Sequence, residues 1–176
     1  IYDVNHLPVL KQPSSPFKLL ARSSSMMISI PYSSEIFSFQ GQVNHIAMNT
    51  AFHICVCGTN ENSLLFCELN LDKFRINRVV KTEETIQNII ISDNFGFVAV
   101  LIGNLSKELV LYSVNGDKIG STYNNIKCLT KASSSPGKFD YLIASDNNNF
   151  IYVFEAFYLV IDKPIFRCNS KIMQIT

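Results

Sequence analysis

Five cysteines and three histidines are the chain's thiols and imidazoles, its candidates for zinc ligation and for neutral-pH base chemistry: Cys55, Cys57, Cys67, Cys128, Cys168, His6, His45 and His53. Cys55 and Cys57 form a C-x-C inside an apolar run. Alternation along a strand puts both thiols on one face, an arrangement that does not make a good disulfide. No C-x-x-C occurs. An odd cysteine count without that motif fits a reduced, intracellular setting. Zinc would need a fuller set of ligands than His45 and His53 can add, so no metal site is expected. Histidine is the usual general base. His6 falls in an irregular arm, while His45 and His53 fall in predicted strands, where a structural role is expected. Glu83-Glu84 are adjacent carboxylates, and a solvated loop is expected there. There is no G-x-G-x-x-G and no phosphate loop. No nucleophile, base and orienting acid can be assembled, so no catalytic, cofactor-binding or metal residue is assigned and the chain is read as non-enzymatic.

Lys73, Arg75, Arg78 and Lys81 are the clearest basic cluster. On an outer strand they could meet phosphates or an acidic partner, but few aromatics interleave. A solvated edge is the expected role, and charges there discourage edge pairing. The net charge of +1 gives no global field toward nucleic acid or an acidic membrane.

These residues must be placed by strands. The chain has 176 residues, 47% hydrophobic and 16% charged, enough for one domain with a real core. The charged share is below the roughly 25% usual in soluble domains, which suits sheets covered on both faces. Residues 1–16, with Pro8, Pro13 and Pro16, read as an irregular arm or linker. Residues 17–176 read as short runs of branched and aromatic residues broken by Asn, Asp, Gly and Ser, the mark of antiparallel strands.

Strands are expected at Met26–Ile30 and Glu35–Gln40, the end of a partial unit. A second unit has Val43–Asn49, His53–Thr59, Leu64–Asn70 and Phe74–Val80. A third has Ile86–Ser92, Phe95–Gly103, Glu108–Val114 and Lys118–Tyr123. Asn115-Gly116 signals a type I′ hairpin turn, with positive φ at both residues. The fourth has Ile126–Ala132, Tyr141–Ser145, Phe150–Phe154 and Leu159–Ile161, and Ile172–Thr176 starts another.

The first strands repeat a loose pattern, VNHI at Val43, IQNI at Ile86, IKCL at Ile126 and IMQI at Ile172. Four strands recurring every ~40–45 residues predict propeller blades. The expected fold is all-β, a partial β-propeller of about four four-stranded antiparallel blades. The alternative is an ordinary sandwich carrying an enzyme or a nucleic-acid-binding module.

The blades resemble degenerate Trp-Asp repeats. With no Trp in the chain, Cys67-Glu68, Tyr112-Ser113 and Phe154-Glu155 fall where the Trp-Asp pair would be. No Gly-His pair precedes the first strands. Three stretches, HICVCGTNENSLLFCEL, then ISDNFGFVAV with LYSVNGDKI, and FDYLIASDNNNFIYVFEAF, are similar to the C-terminal propeller of BEACH-domain proteins, large intracellular proteins of membrane traffic. The similarity spans Gln42 to Thr176. It implies a non-catalytic scaffold beside a separate BEACH domain, cytoplasmic, with protein partners and without cofactors or nucleic acid.

The start without Met suggests a segment of a longer polypeptide, and a ring this short leaves sheet edges open to pairing. Nothing at the N-terminus has the order of a signal peptide. The longest apolar runs, Phe97–Ile102 and Ala156–Ile161, fall short of the ~20 residues of a membrane helix. The sequon Asn104-Leu105-Ser106 is silent in a cytosolic chain.

Overall fold

The computed structural model describes residues 19–22, 25–28, 37–70, 73–105, 107–122, 125–133, 140–155, 157–159 and 166–175. The expected arm at residues 1–16 lies outside them. A first sheet has three strands, β1 (Leu19–Arg22), β2 (Ser25–Ile28) and β3 (Phe37–Gln40). Three four-stranded sheets follow. The first of these has β4 (Val43–Asn49), β5 (Ile54–Thr59), β6 (Ser63–Asn70) and β7 (Lys73–Lys81). The next has β8 (Ile86–Ile91), β9 (Val98–Ile102), β10 (Glu108–Tyr112) and β11 (Lys118–Thr122). The last has β12 (Ile126–Ser133), β13 (Asp140–Asp146), β14 (Phe150–Glu155) and β15 (Phe166–Arg167).

Each sheet is an antiparallel meander in chain order, and no strand crosses from one sheet to another. The leading strands lie together, β8 beside both β4 and β12. Successive sheets stacked face to face about their first strands are propeller blades, and the chain is a partial β-propeller. A sandwich would instead need strands alternating between two sheets.

The core explains the composition. Ile54, Val56, Leu64 and Phe66 pack against Ile89, Ile91, Val98, Val100, Val110 and Tyr112 of the next blade. On the other side of that blade, Ala99, Leu101, Leu109 and Leu111 meet Ile126, Leu129, Leu142, Ala144 and Phe154. Middle strands are therefore covered on both faces: all six residues of β5 and all five of β9 are buried. Each fully buried large apolar side chain contributes about 1.5–3 kcal/mol.

The sequence repeat has a structural cause. In all three four-stranded blades the first strand carries a bulge one residue in, between Val43 and His45, Ile86 and Asn88, and Ile126 and Cys128. The extra residues are Asn44, Gln87 and Lys127, the second position of each repeat. A bulge bends and twists its strand, here at the same place in every blade.

Four expectations need correction. The turn at Asn115-Gly116 is not type I′, because Gly116 alone has positive φ (80°) and Asn115 does not. Gly116 N donates to Ser113 O at 3.0 Å and Ser113 N to Asp117 O at 2.9 Å. This is a three-residue loop closed by a left-handed glycine, with a register shift after Leu111. A Cβ on Gly116 would lie 2.9 Å from the Phe66 ring, so packing as well as φ requires glycine. The last blade's fourth strand is β15, paired to Phe150 and Ile151, not the stretch from Leu159. Leu159 packs on the core beside Phe157 instead, and 160–161 lie outside the described residues. Residues 171–175 follow the IMQI pattern but form no strand. Lys127 Nζ and the Cys128 thiol donate to the Ile172 and Met173 carbonyls. Finally, β9 begins at Val98 rather than Phe95, because residues 92–97 are drawn into a loop.

Candidate functional site

The turns joining first to second strands and third to fourth strands share one face of the blades, and an aromatic row crosses it. Phe52 lies in the β4–β5 turn, Phe95 and Phe97 in the β8–β9 loop, and Tyr158 in the turn after β14. Phe52, Phe95 and Tyr158 are 38%, 43% and 63% exposed. The Phe95 and Phe97 rings stack at 6.4 Å, and Phe97 meets Tyr158 at 6.3 Å, tilted by 53°. Gly96 joins Phe52 to the row: a Cβ there would be 3.2 Å from the Phe52 ring and 2.9 Å from Val114 Cγ1. With φ at +69°, Gly96 is conformationally restricted to glycine as well.

A buried carboxylate holds this face in place. Asp140, 1% exposed, opens β13 and reaches into the neighbouring blade's loop. It accepts from Ser92 Oγ at 2.5 Å, Asn94 N at 2.7 Å and Asn94 Nδ2 at 3.0 Å. Ser92 Oγ in turn accepts from Phe95 N at 2.8 Å. From the other side, Asn49 Nδ2 donates to Ser92 O at 2.9 Å, and Asn49 Oδ1 accepts from Phe52 N at 3.1 Å. The chain of bonds Phe52–Asn49–Ser92–Asp140 thus spans three blades. Burial pushes the Asp140 carboxyl up. The hydrogen bonds from Ser92 and the Asn94 amide, with Ser133 and Asp93, outweigh burial and hold it below the usual carboxylate range. Lys131 Nζ ties the same loop by pairing with Asp93 at 2.6 Å.

Two bulky residues on this face hold positive φ, His53 at 51° and Phe157 at 61°. Such outliers are uncommon and need surrounding structure to hold them. Phe157 is fully buried, and its turn sends Tyr158 outward. Beside Phe52, a cavity of about 320 Å³ opens between blades, with Phe66, Glu68 and Val114 in its walls.

No protein-family model matches the sequence, and no curated protein matches it. Solved structures do: Hsv2p from Kluyveromyces lactis, at 13% identity over 81% of this chain and 49% of that one, with a TM-score of 0.48. A second Hsv2 structure, with complete loop 6CD, is 14% identical over 80% and 48%, with a TM-score of 0.46. BamB from Moraxella catarrhalis is 11% identical over 78% and 45%, with a TM-score of 0.47. The chain spans about half the length of these structures. The architecture here rests on the chain's own sheet order and core.

The residues singled out for chemistry do not converge. His6 lies outside the described residues, and His45 is half-buried in β4. His53 is not in a strand: it is exposed in the turn beside Phe52, because Leu69 N bonds its carbonyl and the turn from Thr50 closes on its amide. Glu83 and Glu84 are exposed between blades, on a groove of about 520 Å³ at the outer rim. Arg78, Lys81 and Lys118 line the same groove, so its charge is mixed.

Lys73, Arg75, Arg78 and Lys81 lie on β7, the outermost strand. A bulge between Phe66 and Cys67 breaks the alternation there: Arg75 and Arg78 oppose Glu68 and Phe66 on one face, and Lys81 opposes Ser63 on the other. Arg78 pairs with Asp117 of the next blade. Asn104 of the sequon is exposed and accepts from Thr85 Oγ1 at 2.5 Å.

Cys55, Cys57 and Cys67 do cluster, on the blade face away from Phe66. Cys55 and Cys57 share that face, with thiols 3.7 Å apart, and all three residues are buried. Hydrogen bonds with Cys57, then burial, push the Cys55 and Cys67 thiols up. The same bonds hold Cys57 low. No group of three or more Cys, His, Asp or Glu able to hold a metal occurs among the described residues.

The sequence hides half of the aromatic row, because Phe95 and Phe97 fall within an apolar run that reads as a strand. The signal available was Asp93-Asn94 with Gly96, turn-forming residues inside the run.

Proposed function

We propose that this chain is a non-catalytic protein-interaction scaffold that binds partners through the aromatic face. The observation that supports it is the row of Phe52, Phe95, Phe97 and Tyr158 across three blades, held by the Asp140 bonds. Exposed aromatics on a rigid support are the usual anchors of binding surfaces, because they bury large areas at little entropic cost. The resemblance of the repeats to the propellers of BEACH-domain proteins supports a finer reading: a cytoplasmic segment of a larger protein of membrane traffic, with Trp-Asp-type blades. Fold alone does not carry function, and these finer points rest on that resemblance.

The test is capture from cell extract by the immobilised chain and by a Phe95→Ser, Tyr158→Ser variant, compared by quantitative mass spectrometry. Proteins retained by the chain and lost with the variant support the reading, and an unchanged set refutes it. Sequencing the parent transcript tests the finer part, which fails if no BEACH domain is encoded.

A further inference from the structure

We infer that a cavity between β8 and β12, on the face opposite the aromatic row, binds a phosphate group between Lys107 and Lys127. This is a second site, and it stands whether or not the aromatic face binds anything.

β8 and β12 both run toward the turns of the aromatic face, so their first residues lie at the far end. Lys107, in the turn from β9 to β10, lies at that end too. There Gln87 and Asn88 of β8, Lys107, Lys127 of β12 and Gln174 line a cavity of about 230 Å³, over Leu101. Gln87 and Lys127 are the bulged residues of their strands. A bulge re-aims the side chain it carries, and at β12 that side chain is a cation.

Charge sets this cavity apart. No aspartate or glutamate among the described residues lines it, whereas Glu83, Glu84 and Glu108 line the outer groove and Glu68 the cavity beside Phe52. Lys107 and Lys127 are both half-buried. Unlike Arg78, Lys118 and Lys131, neither is ion-paired with a described residue. Lys127 Nζ donates to the Ile172 carbonyl, which takes one of its three protons and none of its charge. Asp146, opposite Ile126 in strand register, is outside the lining and accepts from the Asn148 and Phe150 amides and the Tyr152 hydroxyl.

Two like charges on one small cavity repel, and an anion between them relieves that repulsion. Lysine meets phosphate as a point charge. A phosphate monoester carries close to two negative charges at neutral pH and three acceptor oxygens. It matches two ammonium groups, with the Gln174 amide as a further donor. A carboxylate brings one charge and two oxygens, and matches them less well.

The experiment is an NMR titration of the whole isotope-labelled chain at physiological salt. The probes are inorganic phosphate and a seven-residue glycine-serine peptide with one phosphoserine, beside its unphosphorylated form. Phosphate is expected to bind with a Kd of about 1 mM or below and to shift the amides of residues 107, 127 and 174. A phosphopeptide that binds at least about tenfold more tightly than phosphate assigns the group to a phosphorylated polypeptide, and equal affinities assign it to free phosphate. Lys107→Gln and Lys127→Gln are each expected to weaken both probes at least about tenfold, and Lys118→Gln, in the outer groove, to leave them unchanged. Lys127→Gln also removes the Ile172 bond, so Lys107→Gln is the deciding variant. The site is overturned if neither probe binds, if Lys107→Gln binds as the native chain does, or if Lys118→Gln weakens binding as much. Equal binding of the phosphorylated and unphosphorylated peptides overturns it as well. Far-UV circular dichroism of each variant verifies that the sheets are retained.

Discussion

Replacing Asp140 should loosen the aromatic face and destabilise the chain together. The carboxylate, at 1% exposure, accepts hydrogen bonds from Ser92 Oγ and from two Asn94 nitrogens among others. Hydrogen bonds to a charged group contribute about 1.5–3 kcal/mol each, and bonds in one network do not add fully. Asp140→Ala leaves buried donors without their acceptor, and a loss of about 3–4 kcal/mol is expected. Asp140→Asn keeps one acceptor oxygen but turns an amide toward the donors, and about 2 kcal/mol is expected. Urea denaturation followed by far-UV circular dichroism reads both, since the chain has no Trp to report by fluorescence. At a slope of about 2 kcal/mol per M, the Ala midpoint falls by about 1.5–2 M.

Hydrogen exchange supplies the local readout: amides of residues 94 and 95 should exchange faster, and those of β5 should change only with global stability. The sign of the pH effect follows from the lowered native pKa. The carboxylate's stabilisation is complete above the unfolded value near 4 and is lost as pH falls through the native value. Below about pH 4 the gap between the native chain and Asp140→Asn should narrow. A loss under about 1 kcal/mol for Asp140→Ala, or unchanged exchange at residues 94 and 95, would refute the idea that this carboxylate organises the face.

Four further outcomes can be checked. Gly96→Ala combines a φ of +69° with a Cβ 2.9 Å from Val114, and a loss of about 1–3 kcal/mol is expected. A melting temperature equal to the native chain's would contradict it. Phe66→Ala empties a site that is 1% exposed and in ring contact with Tyr112 at 5.9 Å, so about 3–5 kcal/mol is expected to be lost. Phe52→Ala, at an exposed site, should cost under about 1 kcal/mol. Brief maleimide treatment followed by mass spectrometry should label Cys128 and Cys168 and spare Cys55, Cys57 and Cys67 until urea is added, because all three of the latter are buried.

Much of the architecture was legible in the sequence because propeller blades repeat, and the repeat has a cause. The second residue of VNHI, IQNI and IKCL is the bulged residue of each first strand. The IMQI copy has the letters without the strand, since the pattern encodes an alternation and a bulge but not the neighbour that must pair with it. The hairpin at Asn115-Gly116 was placed correctly and typed wrongly, because a two-residue signal cannot show that Ser113 also closes the loop. The candidate face was least legible. Phe95 and Phe97 read as strand residues, and what draws their segment into a loop is Asp140, which lies more than forty positions away and belongs to another blade.

The blade from β8 to β11 buries one face against the β4–β7 sheet and the other against the β12–β15 sheet. Beyond it, the far face of the β12–β15 sheet leaves Tyr141, Ile143, Ile151 and Val153 half-exposed. In a row of units that touch only their neighbours, stability is a sum of unit and interface contributions. Among the described residues, the β8–β11 unit therefore cannot open without giving up two interfaces, whereas the β12–β15 unit gives up one. Unfolding should run inward from the β15 side, with a partly melted species that keeps β9 and β10 protected and has already released Asp140. Because that release frees the Phe95 loop first, the binding surface is set to vanish before the core does.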